Sequence, residues 1–244
     1  MNLLTTNNVK TIKGEKKGYK TYILYMTPNT QNSKGINLCP FASKGCIKSC
    51  LVSSGFGGMF SHINAVRMAK TEFYLNDRNG FLFQLKSEIE KISKKHSGEK
   101  IAIRLNGTTD ISFEKFKVFD GKNIFEHFSD VQFYDYTKNW KRFDKVLLKN
   151  YYLLFSRSET NESKCLELLE KNINVAIVFD KLPETYNGFK VLNGDGDDLR
   201  FLDKRGYIIG LKYKKITSKG APEINRDALE NGFVVTTNKL VLTN

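Results

Sequence analysis

The spacing of apolar residues changes character along the chain. Residues 19–26 are aromatic and β-branched and stop short of Pro28, which predicts a strand. Phe60, Ile63, Val66, Met68, Ala69, Phe73 and Leu75 approximate a helical stripe. Phe81, Leu82, Leu85, Ile89 and Ile92 repeat that period up to the basic end Lys94-Lys95-His96 and Gly98, predicting a second helix. From Lys100 onward, short apolar runs at 101–105, 131–137, 151–155, 174–179, 189–192 and 207–211 alternate with polar loops, with a helix expected over 161–171. Such alternation favours parallel strands joined by crossovers. The crossovers around 138–150 and 181–188 are short for full helices. The pattern therefore predicts an α/β fold, an irregular partial (β/α) barrel of roughly six parallel strands. Residues 1–18 read as a flexible polar arm and 19–244 as a single domain.

Three of the four cysteines, Cys39, Cys46 and Cys50, share one loop between the first strand and the first long helix. The loop spans 39–50 with C-x6-C-x3-C spacing, and Gly55, Gly57 and Gly58 follow it. Thiolates are soft anionic ligands, and three on a short loop can converge on one inorganic centre. Three readings stay open. The cysteines hold a 4Fe–4S cluster and leave one iron open; or they hold zinc with a distant fourth ligand such as His62 or Cys165; or they pack as inert thiols. Glycine, lysine and serine between them argue against a core segment. Cys165 itself, beside Leu166, Leu168 and Leu169 on an expected helix, reads as a core thiol.

Parallel α/β folds gather their chemistry at the carboxyl ends of the strands. Those ends are polar here: 106–110, 137–139, 156–159, 180–181 and 193–198. Polar loops are also simply turns, Asn-Gly and Asp-Gly steps above all. Together with the cysteines they could line a mouth for a polar small molecule. Asn193-Gly-Asp-Gly-Asp-Asp198 suggests calcium by its carboxylates but lacks the closing glutamate of a calcium-binding hand.

The net charge of +13 suits anionic partners, nucleic acid or nucleotides among them, although the lysines are spread over several patches. No apolar run approaches the roughly 20 residues that span a bilayer. The first residues carry neither a basic leader nor an apolar signal core, so a cytoplasmic protein with reduced cysteines and no membrane partner is expected.

The cysteine loop, Arg104-Leu-Asn-Gly-Thr-Thr-Asp110, Phe133-Tyr-Asp-Tyr-Thr-Lys-Asn-Trp140, the stretch 193–203 and Ile209-Gly-Leu211 together resemble the phage "gene product 88" family, related in pattern to the radical S-adenosylmethionine (SAM) enzymes. The resemblance covers about residues 19–213. It implies a radical-SAM-like partial barrel in a host cytoplasm, with Cys39, Cys46 and Cys50 as cluster ligands. It further implies that the open iron binds SAM, whose reductive cleavage yields a 5′-deoxyadenosyl radical at the expense of an external reductant. Arg104, Asn106 and Asp110 would contact the cofactor; Tyr136, Lys138, Asp195, Asp197 and Arg200 would wall a polar substrate pocket. The radical SAM loop is usually C-x3-C-x2-C with an aromatic before the third cysteine; here both gaps are wider and Ser49 takes that place.

Overall fold

The computed structural model describes residues 1–50, 61–145, 148–216 and 220–237. Its frame is a nine-stranded sheet in the order β1-β2-β3-β4-β5-β6-β9-β8-β7. The strands are β1 (Leu4–Thr5), β2 (Tyr19–Leu24), β3 (Lys100–Arg104), β4 (Gln132–Thr137), β5 (Tyr151–Ser156), β6 (Val175–Phe179), β7 (Thr185–Tyr186), β8 (Phe189–Asn193) and β9 (Ile208–Lys212). Only the edge strands β1 and β7 pair antiparallel; the seven strands between them run parallel. The fold is mixed α/β, and the sheet is open rather than closed on itself.

Two faces follow from the register. Ile103 pairs with Phe133, Phe133 with Tyr151 and Phe155 with Val175, which sets these side chains on one face. Helices α3 (Ser61–Asn76), α4 (Arg78–Lys95) and α6 (Glu162–Glu170) cover it, burying Tyr74, Phe81, Leu85 and Ile89 over β2–β5 and Cys165, Leu168 and Leu169 over β5–β6. α4 starts where Asp77 accepts a bond from Gly80 N. The stripe expected on α3 is displaced: Val66 and Met68 are exposed, while Lys70, Thr71 and Tyr74 face inward.

The opposite face carries Ala102, Tyr134, Tyr152, Leu154 and Ile209, and Leu199 and Phe201 of a 3-10 turn region fold over it. Helix α1 (Val9–Glu15) packs there too. Its Gly14 lies so close to Thr21 and Leu199 that a Cβ would meet Thr21 Oγ1 at 2.2 Å.

Residues 1–18 are not a loose arm. Leu3 and Leu4 are buried, β1 pairs with β2, and the backbone N–H groups of both leucines donate to the Glu88 carboxylate. Lys70 Nζ donates to Leu3 O at 2.7 Å. Asn8 and Thr11 form a reciprocal cap at the start of α1.

Candidate functional site

The cysteine loop lies over the carboxyl ends of β3, β4 and β5. Cys46 sits on the short helix α2 (Lys44–Lys48), whose start is built by Ser43: its Oγ accepts from Cys46 N and donates to Glu159 Oε2 at 2.6 Å. Glu159 Oε1 accepts from Gly45 N at 2.7 Å, and a Cβ on Gly45 would meet both the Glu159 carboxylate and Phe233 at 2.9 Å. Partial burial would raise the Glu159 pKa, but the bonds from Ser43 and Gly45 outweigh it and hold it below the usual value. Helix α7 (Ala221–Glu230) and the chain after it supply Ala228, Phe233 and Val234, against which Cys46 packs. One carboxylate thus clasps the cysteine helix to the loop after β5. Glu159→Ala is expected to cost roughly 1.5–3 kcal/mol, the range for hydrogen bonds to a charged group, and Ser43→Ala less. Urea unfolding of the two variants measures this; equal midpoints for Glu159→Ala and the parent would remove the clasp.

Beneath α2 a cavity of about 130 Å³ is lined by all three loop cysteines together with Thr108, Asp110, Tyr136, Lys138 and Ser156. Its size suits a compact group, since pockets for drug-sized ligands run to about 300–1,000 Å³. Cys39, Cys46 and Cys50 are partly exposed, whereas Cys165 is buried. Cys39 Sγ accepts from Asn29 N at 3.4 Å and lies 3.8 Å from Thr108 O. Burial pushes its thiol up to about 12, with Cys50, Asp110 and Cys46 adding to the rise, so Cys39 is not a thiolate nucleophile near neutral pH. Among the described residues, no three His, Cys, Asp or Glu side chains are grouped to hold a metal ion.

The cavity wall is fixed by the loop after β3. Asp110 N donates to Leu38 O beside Cys39, Gly107 N donates to Leu24 O, and Thr108 Oγ1 donates to Met26 O. Asp110 accepts from Lys138 N at 2.9 Å and from Arg142 Nη1 at 3.2 Å. Lys138 Nζ donates to Ser156 Oγ at 2.8 Å and reaches Arg157 O. Behind Asp110, buried Arg142 forks onto Glu114 and also donates to Tyr151 Oη, which donates to Asp135. Burial lifts Asp135 to about 6 despite the bonds it accepts from Asn106 and Tyr151.

A second buried group sits on the open face. Asp198 accepts from Arg104 Nη1 at 2.9 Å, pairs with Lys10 at 3.5 Å and accepts from Tyr136 Oη at 3.4 Å. The Arg104 guanidinium stacks 4.5 Å from the Tyr136 ring centre. Tyr136 therefore belongs to both groups.

A family description, gene product 88, matches residues 1–234. The chain belongs to the gene product 88 family. No curated protein and no solved structure matches it. The match supports the family resemblance seen in the motifs; kinship to radical SAM enzymes is not part of it.

In this gene product 88 protein the residues singled out from sequence divide. Cys39, Cys46, Cys50, Asp110, Tyr136 and Lys138 line one cavity. Arg104 and Asn106 do not. Arg104 is spent on Asp198, and Asn106, 1 % exposed, bonds Asp135, Ile111 and Thr109. Asp195, Asp197 and Arg200 lie outside the lining as well. Asp197 accepts from Leu199 N and Arg200, Arg200 also pairs with Asp203, and Asp195 accepts from Lys212 N. Neither candidate fourth zinc ligand, His62 or Cys165, lines the cavity. Residues 55–58 fall outside the described residues. Sequence reasoning passed over Glu159, Ser43 and Arg142; only the polar cluster 156–159 hinted at the first.

Proposed function

We propose that Cys39, Cys46 and Cys50 hold a 4Fe–4S cluster in this cavity, and that the chain is a radical SAM-like enzyme on a partial (β/α) barrel. The observation that supports the reading is the meeting of three partly exposed thiols at one small cavity over parallel strand ends. The donor set fits. Soft thiolates suit iron–sulfur centres, and a backbone N–H aimed at Cys39 sulfur is the kind of bond that tunes such centres. A lone zinc ion fits less well. It needs four donors at about 2.0–2.3 Å, and neither His62 nor Cys165 joins the three cysteines at the cavity. A cluster instead spreads its three thiolates over three irons.

When bound, the cluster supplies a single electron and an open iron for the amino and carboxylate groups of SAM. The chain's own residues orient what enters. Lys138, steadied by Ser156 and the Arg157 carbonyl, presents a positive charge to an anionic group. Asp110, gripped by Arg142 and Lys138 N, offers a fixed carboxylate edge to a donor. The Tyr136 ring, braced by Arg104, adds a flat wall. This chemistry suits a polar metabolite, nucleotide or nucleic acid, turned over in a host cytoplasm with an external reductant. No described helix is long and apolar enough to cross a membrane.

Electron paramagnetic resonance of the anaerobically reconstituted, reduced protein tests the open iron. Adding SAM should change the cluster signal, and 5′-deoxyadenosine should accumulate with a low-potential reductant. A cluster signal indifferent to SAM would overturn the SAM assignment while leaving the cluster.

A further inference from the structure

We infer that a lysine ridge formed by α1 and the segment after β9 binds the phosphate backbone of a single-stranded nucleic acid. The choice of a single strand over a duplex rests on the function proposed above; the binding does not. α1 carries Lys10 and Lys13 and is followed by Lys16 and Lys17, while Lys212, Lys214 and Lys215 lie in and after the end of β9. One residue ties the two stretches together. Lys13 Nζ donates to Asp195 O at 2.6 Å, and Lys212 N donates to Asp195 Oδ2 at 2.9 Å.

The ridge is short of counter-charge. Asp198 is drawn inside by Arg104, which leaves Glu15 and Asp195 as the acids beside seven lysines. Some lysines elsewhere pair with carboxylates, as Lys48 does with Asp227, Lys86 with Glu90 and Lys171 with Glu167. Among the described residues, exposed Lys16, Lys17, Lys214 and Lys215 make no ion pair. Crowding of like charge reaches inward: burial first, then Arg104 and Lys214, hold Lys10 down to about 8 against the pull of Asp198. A polyanion relieves such a surface and releases its own counterions.

The ridge and the cavity share one buried ion group. Lys10 pairs with Asp198, which accepts from Tyr136 Oη, and Tyr136 forms the cavity wall. A single strand fits better than a duplex, because a paired base cannot reach a small cavity without leaving its stack. A lipid surface fits less well. Val9 and Ile12 are the exposed apolar residues of α1, too little apolar area on seven residues to anchor an interfacial helix.

Fluorescence anisotropy with short labelled single-stranded DNA and RNA tests the ridge. The parent is compared with Lys16→Glu/Lys17→Glu/Lys214→Glu and with Lys91→Glu/Lys115→Glu/Lys122→Glu, a control of equal charge change on elements that cover the other face. Circular dichroism establishes that both variants fold. The ridge variant should lose on the order of tenfold or more in affinity, and its log–log salt slope should fall by about 0.7 per phosphate contact removed. The control should lose about twofold or less. Equal losses in both variants, no binding by the parent, or tighter binding to phosphatidylserine vesicles than to either oligonucleotide would overturn the ridge. Iron content is untouched by these substitutions, so failure of the ridge and failure of the cluster are separate results.

Discussion

Replacing Arg142 with alanine is expected to destabilise the protein by about 3–5 kcal/mol, the cost of leaving buried charges without their partner. Arg142 is 3 % exposed and satisfies Glu114 through two nitrogens, Asp110 through a third contact and the Tyr151 hydroxyl. Removing it leaves two largely buried carboxylates without the guanidinium that pairs with them. Asp110, already raised by burial and held back chiefly by Arg142, would rise further and lose its fixed orientation at the cavity. Arg142→Lys should recover little, because an ammonium cannot reproduce the planar fork on Glu114. Guanidinium unfolding measures the loss, and a shift under about 1 kcal/mol would show that the wall does not depend on this residue.

Asp198→Ala is expected to cost a similar amount, about 3–5 kcal/mol, since it leaves Arg104 and Lys10 facing each other without the carboxylate between them. Its pH dependence has a definite sign. Burial would raise Asp198, but Lys10, Arg104 and Arg200 together hold it down to about 2. A carboxylate depressed in the folded state contributes stability that is complete above its unfolded value of 3.8 and drains away as pH falls toward 2. That contribution is roughly 2 kcal/mol. The parent should therefore lose stability between about pH 4 and 2 more steeply than Asp198→Asn, which has no proton to gain. Parallel acid limbs in the two proteins would contradict the ion cluster.

The helices α4 and α6 and the strands of the parallel sheet were legible because each is a periodic apolar run whose burial follows directly from its period. The docked N-terminus was not. Leu3 and Leu4 form too short a run to signal a strand, and the partner that fixes them, Glu88, lies 85 residues away. The capping pair Asn8 and Thr11 was the available clue. The stripe on α3 was misplaced because Lys70 and Thr71 turn inward to bond backbone and hydroxyl groups, which hydrophobic spacing does not register. The cysteine cavity was legible from the loop's position after the first long parallel strand. Which polar strand-end residues face it was not, because Asn106 and Asp197 are consumed by bonds to their own loops and neighbouring strands.

Iron and acid-labile sulfide per chain, measured after anaerobic purification of the parent and four single cysteine variants, decide whether the cavity holds a cluster. The parent should be brown with about four irons and four sulfides. Cys39→Ala, Cys46→Ala and Cys50→Ala should each lose most of both, while Cys165→Ala, on the buried face of α6, should keep them. A colourless parent that retains one zinc, or iron that survives loss of the loop cysteines, would contradict the proposed centre.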